Sequence, residues 1–322
     1  MNSQSGDPRG RGVRAVFREA RPSARVQWRQ LRTGLLFISP WLVGFTLFLA
    51  YPIGMSFYYS LCDFSVLQPP RFVGLANYQE LVADDVFRQA LTNTFCYAAG
   101  AIPLGILLAF GIAMLLNTGV RGMTVYRTIF FLPSLVPSVA LAILWMWIFN
   151  GKDGILNIAL SDVARALGSS ASPPSWLSDP KWVKPALIFM SLWGTGHAVV
   201  IYLAGLQDVP VHLYEAADLD GANWWQKVRN VTLPMVSPVI LFNGIMAIIG
   251  TFNFFAIPFV MAPGGQPARS AYFLAVNLFD NAFLYLRMGY ASAMAWVLFL
   301  IVFVLTMLAL KLSERHVHYG GS

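Results

Sequence analysis

The chain has 322 residues, of which 57% are hydrophobic and only 11% are charged, and its formal net charge is +7. Soluble domains usually contain about 25% charged residues, so this composition excludes an ordinary soluble protein. The apolar excess must face lipid, and the sequence therefore predicts an integral membrane protein.

The N-terminal arm, residues 1–33, is strongly basic. Positive residues next to a span are retained in the cytoplasm, so the N-terminus is predicted to be cytoplasmic. A nucleic-acid-binding tail is an alternative, but a disordered segment that touches anionic lipid is favoured. A cleavable signal sequence is disfavoured because the apolar stretch that follows is longer than the usual core of about 7–15 residues. The arginines of the arm are Arg9, Arg11, Arg14, Arg18, Arg21, Arg25, Arg29 and Arg32.

Six charge-free windows follow the arm. Each can hold the ~20 apolar residues that cross a ~30 Å hydrocarbon core. Segments of this kind form helices, because backbone polar groups find no water in lipid. The sequence thus predicts an all-α membrane domain, residues 34–312, in which Pro133 and Pro137 kink the third span. The predicted spans cover approximately residues 34–61, 90–117, 127–149, 185–206, 236–261 and 289–311.

The segments between the spans are short, so one domain is expected. With an even number of spans, the tail, residues 313–322, returns to the cytoplasm. The predicted external loops are Asp63–Arg88, Asn150–Lys184 and Pro263–Arg287, and the stretch Ser172–Pro180 of the second is expected to be irregular. Cys62 and Cys96 lie near the external ends of helices; apolar filling is the favoured role, and a disulfide is the alternative.

The chain lacks the residue patterns of common energy-coupling and catalytic sites. Among Asp, Glu, Lys, Arg and His, the windows contain only His197, and no acidic partner accompanies it in any span. The Gly151-Lys152 pair lacks the other residues of a phosphate-binding loop, and there is no His-Glu-x-x-His zinc pattern. An ion-coupled carrier and a membrane enzyme are therefore disfavoured alternatives. The chain is predicted to provide a path whose energy comes from another protein.

The segment 208–234, between the fourth and fifth spans, is predicted to form two short helices. Asp208 should cap the first helix, which runs to about Leu219. A left-handed turn at Gly221 should end it, because glycine tolerates positive φ. A second short helix, from Ala222 toward Val228, then leads to Pro234 at the membrane. Such a helix–turn–helix across the mouth of a bundle would offer a partner protein a binding surface.

Three motifs in this segment closely resemble the EAA signature of binding-protein-dependent ABC importer permeases. They are Glu215-Ala216-Ala217, Asp220-Gly221-Ala222 and Thr232-Leu233-Pro234. Other stretches resemble the carbohydrate-type members of the family, namely Phe72–Tyr78, Phe131–Trp147 and Gly289–Ala293. The stretch Ala262–Pro267 departs from the family, which usually has a threonine and an unbroken Gly-Gly-Pro there.

The resemblance implies a type I importer permease fold, similar to maltose or glycerol-phosphate transporters, in the inner membrane. It also implies a second homologous permease, with a heterodimer favoured over a homodimer, two cytoplasmic ATPase subunits that bind ATP and Mg, and an external binding protein that delivers a sugar-like solute. This chain would then hold no cofactor or metal and would bind no nucleic acid. An importer of the same architecture for peptides or amino acids is the alternative. The residues expected to couple to the ATPase are Glu215, Ala216, Ala217, Asp220, Gly221, Leu233 and Pro234.

Asn253 is the first candidate for a contact with the solute. It lies between Phe252 and Phe254 in the predicted fifth span, where an amide is costly unless it finds a partner. An amide beside aromatic faces suits a sugar, but an interhelical hydrogen bond is an equally good interpretation. Trp193 and Tyr202 are further candidates, although aromatic residues in membranes often only pack or mark an interface.

Overall fold

The computed structural model describes residues 24–118, 122–168 and 172–314; most of the predicted basic arm and of the C-terminal tail lies outside the described residues. The chain forms two compact units, Met1–Ser56 and Phe57–Ser322. In the described part, the α-helices are α1 (Ala24–Phe45), α2 (Tyr51–Ser60), α3 (Ala76–Ala83), α4 (Asp85–Leu116), α5 (Met123–Phe131), α6 (Ser138–Ile148), α7 (Ile155–Ala166), α8 (Val183–Trp193), α9 (Gly196–Gln207), α10 (Val211–Leu219), α11 (Trp224–Lys227), α12 (Leu233–Phe252), α13 (Ala256–Met261), α14 (Leu274–Phe279) and α15 (Met288–Ser313).

Several helices are long and apolar enough to cross a membrane. Among the described residues, four continuous helices meet this description: Leu31–Ser60, Asp85–Leu116, Trp224–Met261 and Met288–Ser313. Two further helix pairs are bent: Met123–Leu135 meets Ser138–Ile148 at 97°, and Val183–Trp193 meets Gly196–Gln207 at 49°. The number of spans is six when each bent pair counts as one. The fold is mostly helical, as the sequence predicted.

The bend in the third span has a local cause. A 3-10 turn, Leu132–Leu135, follows α5, and Val136 then adopts an extended conformation with ψ 127°. Pro137 imposes this conformation, because the residue before a proline is disfavoured in the helical region. Pro133 also removes a backbone donor at this point. The stretch 127–149 is therefore two helices with a sharp break, a larger disruption than the kink that its prolines predicted.

The region Asp63–Arg88, predicted as an external loop, contains regular structure. An antiparallel hairpin, β1 (Cys62–Ser65) and β2 (Gln68–Phe72), pairs Asp63 with Arg71 and precedes α3. Asn77, at the start of α3, donates from Nδ2 to the carbonyl oxygens of Ser60 and Cys62, each at 2.9 Å. These bonds satisfy two carbonyl groups where α2 ends and the hairpin begins.

Gly289, in the first turn of α15, lies directly against the hairpin. A Cβ added to Gly289 would overlap the carbonyl oxygen of Cys62, so only glycine allows this approach. Cys62 itself is buried and Cys96 is exposed, and both are free thiols. The disulfide alternative is therefore not realised in the structure.

Helix α4 contributes to each of three hydrophobic clusters in the second unit. Its N-terminal half packs on α6 and α8 through Ala90 and Tyr97. Its opposite side packs on α14 and α15 through Phe87 and Ala98. The third cluster joins the C-terminal half of α4 to α9 and α12; it contains Ala109, Ala113, Leu116, Val199, Tyr202, Leu203, Leu206, Val209 and Val236. Helix α4 is thus the central element of the unit.

Polar side chains of α4 hold the loop before α14. Asn93 donates from Nδ2 to the carbonyl oxygens of Arg269 and Tyr272, at 2.8 and 3.0 Å. The hydroxyl of Thr94 accepts a hydrogen bond from the backbone N–H of Leu274 at 3.0 Å. Asn93 and Thr94 are both buried, so these bonds are shielded from competing water. The loop is therefore attached to α4 through its main chain.

Candidate functional site

The first helix of segment 208–234 begins later than the sequence predicted. Pro210 is the N-cap of α10, and no side chain caps this end. Asp208 instead ends α9: its N–H donates to the carbonyl of Ala204 at 3.2 Å, and its backbone stays in the helical region. The prediction that Asp208 caps α10 is wrong, because the preceding helix extends far enough to include it.

The turn at Gly221 is confirmed. Gly221 has φ +72°, and α10 ends in a Schellman motif there. The N–H of Ala222 donates to the carbonyl of Ala217 at 2.9 Å, and the N–H of Gly221 donates to that of Asp218 at 3.1 Å. Asp220 is the last residue before the turn. Glycine at this position avoids the steric cost that other residues pay for positive φ.

A capping box starts α11 immediately after the turn. The Asn223 side chain accepts from the N–H of Gln226 at 2.9 Å, and the Gln226 side chain accepts from the N–H of Asn223 at 2.7 Å. The Asn-x-x-Gln spacing is a helix-start signal that the sequence interpretation missed when it began this helix at Ala222. Across the turn, Lys227 Nζ lies 2.6 Å from Asp218 Oδ1. The two short helices are therefore fixed relative to each other by local bonds.

One face of α10 is open. Glu215 and Ala216 are exposed, and Ala217 is half-buried. Within the described residues, the Glu215 carboxylate makes no ion pair or hydrogen bond. Leu219 is 90% exposed and Trp225 is 71% exposed on the same two-helix segment. An unpaired carboxylate beside small and apolar exposed residues is typical of a surface that another protein covers.

The other face of α10 is attached to the bundle. Tyr214 packs against the cluster that joins α4, α9 and α12. Its hydroxyl forms a 3.0 Å hydrogen bond with the hydroxyl of Thr232, either oxygen being able to donate. Leu233 and Pro234 begin α12 directly after Thr232, behind a π-helical turn. All seven residues that the sequence analysis expected to couple to the ATPase thus lie on one segment that is continuous with α12.

The intramembrane candidates lie in different places. Asn253 is exposed and ends α12, where its Nδ2 donates to the carbonyl of Ile249 at 2.8 Å. This bond lies within one helix, so the interhelical alternative is not what the structure shows. Phe252 is 2% exposed and packs edge-on against Phe95, at 5.1 Å between ring centroids. Phe254 stacks on Tyr97 at 4.6 Å. These ring contacts favour a packing role for Phe252 and Phe254 over a contact with the solute.

Tyr202 and Trp193 line separate cavities. Tyr202 is fully buried in a cavity of about 170 Å³, and its hydroxyl has no hydrogen-bond partner within the described residues. The sequence interpretation missed Asn243, a second amide in a charge-free span, which lines the same cavity. This volume is below the range of about 300–1,000 Å³ that is usual for ligand pockets. Trp193 is 41% exposed and lines a larger apolar cavity of about 770 Å³ beside the bend between α5 and α6.

These features define a class of membrane protein. Helices that can span a membrane, together with a second unit built around α4 and a two-helix segment with the EAA-like motifs, are the features of an importer permease. The chain belongs to the family of binding-protein-dependent transport system inner membrane components, whose model matches residues 76–319. It is therefore a multi-pass protein of the inner membrane.

Individual relatives agree with this assignment. The chain is 38% identical to the probable ABC transporter permease protein YesP of Bacillus subtilis (strain 168), over 89% of this chain and 92% of the relative. It is 35% identical to the lactose transport system permease protein LacF of Rhizobium radiobacter, over 85% and 92%. Among solved structures, a bacterial ABC transporter involved in importing the acidic polysaccharide alginate matches with a TM-score of 0.76 at 22% identity, over 90% of this chain and 99% of that chain. This last likeness concerns the fold.

Proposed function

We propose that this chain is one permease subunit of an ATP-driven importer for a sugar or sugar-like solute. The observation that carries the proposal is the segment 208–234, whose exposed face presents an unpaired Glu215 and whose other face bonds to Thr232 at the start of α12. Such a segment can receive movement from a partner and pass it to a membrane helix. Relatives named for lactose, diacetylchitobiose and arabinooligosaccharide transport support the solute class.

In this proposal, both termini are cytoplasmic and segment 208–234 faces the cytoplasm. Two ATPase subunits bind ATP and Mg, and one of them docks on α10 so that a basic side chain pairs with Glu215. Ala216 and Ala217 let the docking groove of the ATPase approach the backbone of α10. Asp220 and Gly221 set the angle between α10 and α11. Leu233 and Pro234 transmit the displacement of segment 208–234 to α12. ATP binding favours one access state of the bundle, because the ATPases bind that state more tightly.

The remaining partners are a second permease and an external binding protein. One chain offers one α10 docking surface, whereas two ATPase subunits need two, so a second permease of similar topology completes the complex. A heterodimer is preferred because the carbohydrate-type importers that the sequence resembles generally use two distinct permeases. The solute path runs past the end of α12, where Asn253 is exposed on this chain and faces either the second permease or the solute.

The test is transport by the purified complex. The permease is expected to co-purify with a second membrane polypeptide and an ATPase, and proteoliposomes with the external binding protein should take up a sugar only when ATP is supplied. Uptake driven by an ion gradient without ATP would refute the proposal. ATP-driven uptake of a peptide or amino acid, with no response to sugars, would refute the solute class alone. Finding one membrane polypeptide would refute the heterodimer.

A further inference from the structure

A polar cavity of about 580 Å³ lies between the start of α4, the loop before α14 and the turn before α15. This volume falls within the usual range of small-molecule sites, about 300–1,000 Å³. The cavity is separate from segment 208–234 and from the small cavity at Tyr202. In the topology proposed above, it opens on the external side.

The lining of this polar cavity contains a buried donor without a partner. Asn277 is 1% exposed, and its Nδ2 has no hydrogen-bond partner within the described residues. The orientation of the amide is fixed by Asn281, whose Nδ2 donates to Asn277 Oδ1 at 2.8 Å and to the Asn277 carbonyl at 2.9 Å. A buried donor left unpaired is destabilising, so a polar atom in the cavity would be bound there.

Next to Asn277, a carboxylate supplies an acceptor. Asp280 is buried and accepts from the hydroxyl of Tyr272 at 2.7 Å through Oδ2. Burial, followed by the hydrogen bond to Asp280, raises the pKa of Tyr272, so the phenol keeps its proton and stays a donor to this oxygen. The other oxygen of Asp280 makes no bond within the described residues and is available to a hydroxyl donor.

Charges of both signs line the polar cavity. Two carboxylates, Asp84 and Asp280, line it together with two guanidinium groups, Arg269 and Arg287. Arg287 is already bound at 2.6 Å to Glu80, which lies outside the lining.

Both oxygens of Asp84 already accept hydrogen bonds, from the Tyr290 hydroxyl and from the Val86 N–H. The groups left to a ligand are one exposed cation, Arg269, the buried carboxylate of Asp280 and neutral amides. This set favours a neutral molecule that carries donors and acceptors together, and sugar hydroxyl groups do both.

We propose that the polar cavity binds one sugar unit of a neutral solute, with Asn277 donating to a sugar oxygen, Asp280 accepting from a hydroxyl and Arg269 covering the opening. The site would receive solute released from the binding protein before it enters the bundle. This proposal rests on the proposed function, which supplies the sugar class of the solute and places the polar cavity on the external side.

The experiment is saturation-transfer NMR on the nanodisc-embedded complex without binding protein, using glucose, galactose, arabinose and lactose as probes. Wild type should give a signal with at least one probe, and Asn277→Leu should weaken binding about fivefold or more, the effect of losing about one hydrogen bond. Arg269→Ala should weaken it similarly while leaving the fold intact, because the Arg269 side chain is exposed. Asn117→Leu and Arg71→Ala repeat these substitutions at exposed positions outside the cavity and should leave the signal unchanged.

Three results of this experiment would overturn the proposed sugar site. No signal from any probe in wild type would mean that the polar cavity holds water only, and would overturn the proposal. An unchanged signal in Arg269→Ala and in folded Asn277→Leu would place the sugar elsewhere and overturn it too. A signal seen only when the binding protein is added would come from that protein's own sugar site, again contrary to the proposal. ATP-dependent sugar uptake by the same complex, measured in parallel, separates these failures from a failure of the proposed function.

Discussion

The phenol oxygen of Tyr214 lies 3.0 Å from the hydroxyl oxygen of Thr232. This hydrogen bond joins α10 to the residue directly before α12, and the Tyr214 ring also packs on the cluster shared by α4 and α9. A displacement of α10 would therefore act on three helices of the bundle at once.

Tyr214→Phe is expected to lower the amount of solute transported per ATP hydrolysed, while ATPase binding is retained. The change removes one hydrogen bond worth about 0.5–1.5 kcal/mol and keeps the packing of the ring. Uptake and ATP hydrolysis measured in the same proteoliposomes give the ratio. Tyr126→Phe repeats the substitution at an exposed tyrosine of α5 and should change nothing. An unaltered ratio in Tyr214→Phe would show that the bond does not transmit movement.

Glu215→Ala should leave folding and membrane insertion intact but weaken ATPase association. In the proposed complex the carboxylate is buried against a basic side chain, and removing one partner of such a pair costs about 2–5 kcal/mol. Pull-down of the ATPase with the permease measures the effect. Glu314→Ala, the same substitution at another exposed glutamate, is the control. Wild-type pull-down and uptake in Glu215→Ala would refute the docking role of α10.

Substitutions of Gly221 should be graded by their tolerance of positive φ. No atom lies within 4 Å of an added Cβ at Gly221, so the effect comes from the backbone at φ +72°. The left-handed conformation costs an ordinary residue about 1–2 kcal/mol, and β-branched valine resists it most. Gly221→Val should therefore weaken ATPase binding strongly, whereas Gly221→Asn should be close to wild type. Equal behaviour of the two variants in the pull-down would contradict this explanation.

Gly289→Ala is expected to destabilise the protein by about 1–3 kcal/mol, because its methyl group would overlap the Cys62 carbonyl. Thermal unfolding in detergent measures the change. The control is Gly111→Ala in the interior of α4, where an added Cβ meets no atom within 4 Å. That substitution should be neutral or stabilising by up to about 1 kcal/mol. A Gly289→Ala protein as stable as wild type would show that the hairpin can move away from α15.

Asn253→Ala should raise the solute concentration at which uptake is half-maximal by about 2–10-fold, the range for one lost hydrogen bond. The variant also loses the bond to the Ile249 carbonyl, so thermal stability must be measured alongside uptake. Asn117→Ala at the end of α4 removes another exposed helix-terminal amide and serves as the control. If concentration dependence and rate both match wild type, Asn253 is not a solute contact.

The helical membrane fold and the EAA-like segment were predictable for physical reasons. Charge-free windows report directly on lipid exposure, and Gly221 reports on a backbone conformation that few other residues adopt. The charge-free windows carry no information about where a span breaks. The sequence therefore predicted only a kink where the structure has a 97° bend after Pro133. The bonds of Asn77 to α2 and the end of α12 at Asn253 depend on tertiary geometry. For the same reason, the sequence did not reveal the cavity around Asn277.

The attachment of the loop before α14 to α4 has an evolutionary consequence. Asn93 and Thr94 bond to its carbonyl and N–H groups, which every residue except proline provides in full. The loop can therefore exchange side chains such as that of Arg269 without losing its anchors. Preference for a different solute could arise by substitutions in this loop, while the two buried residues of α4 stay the same.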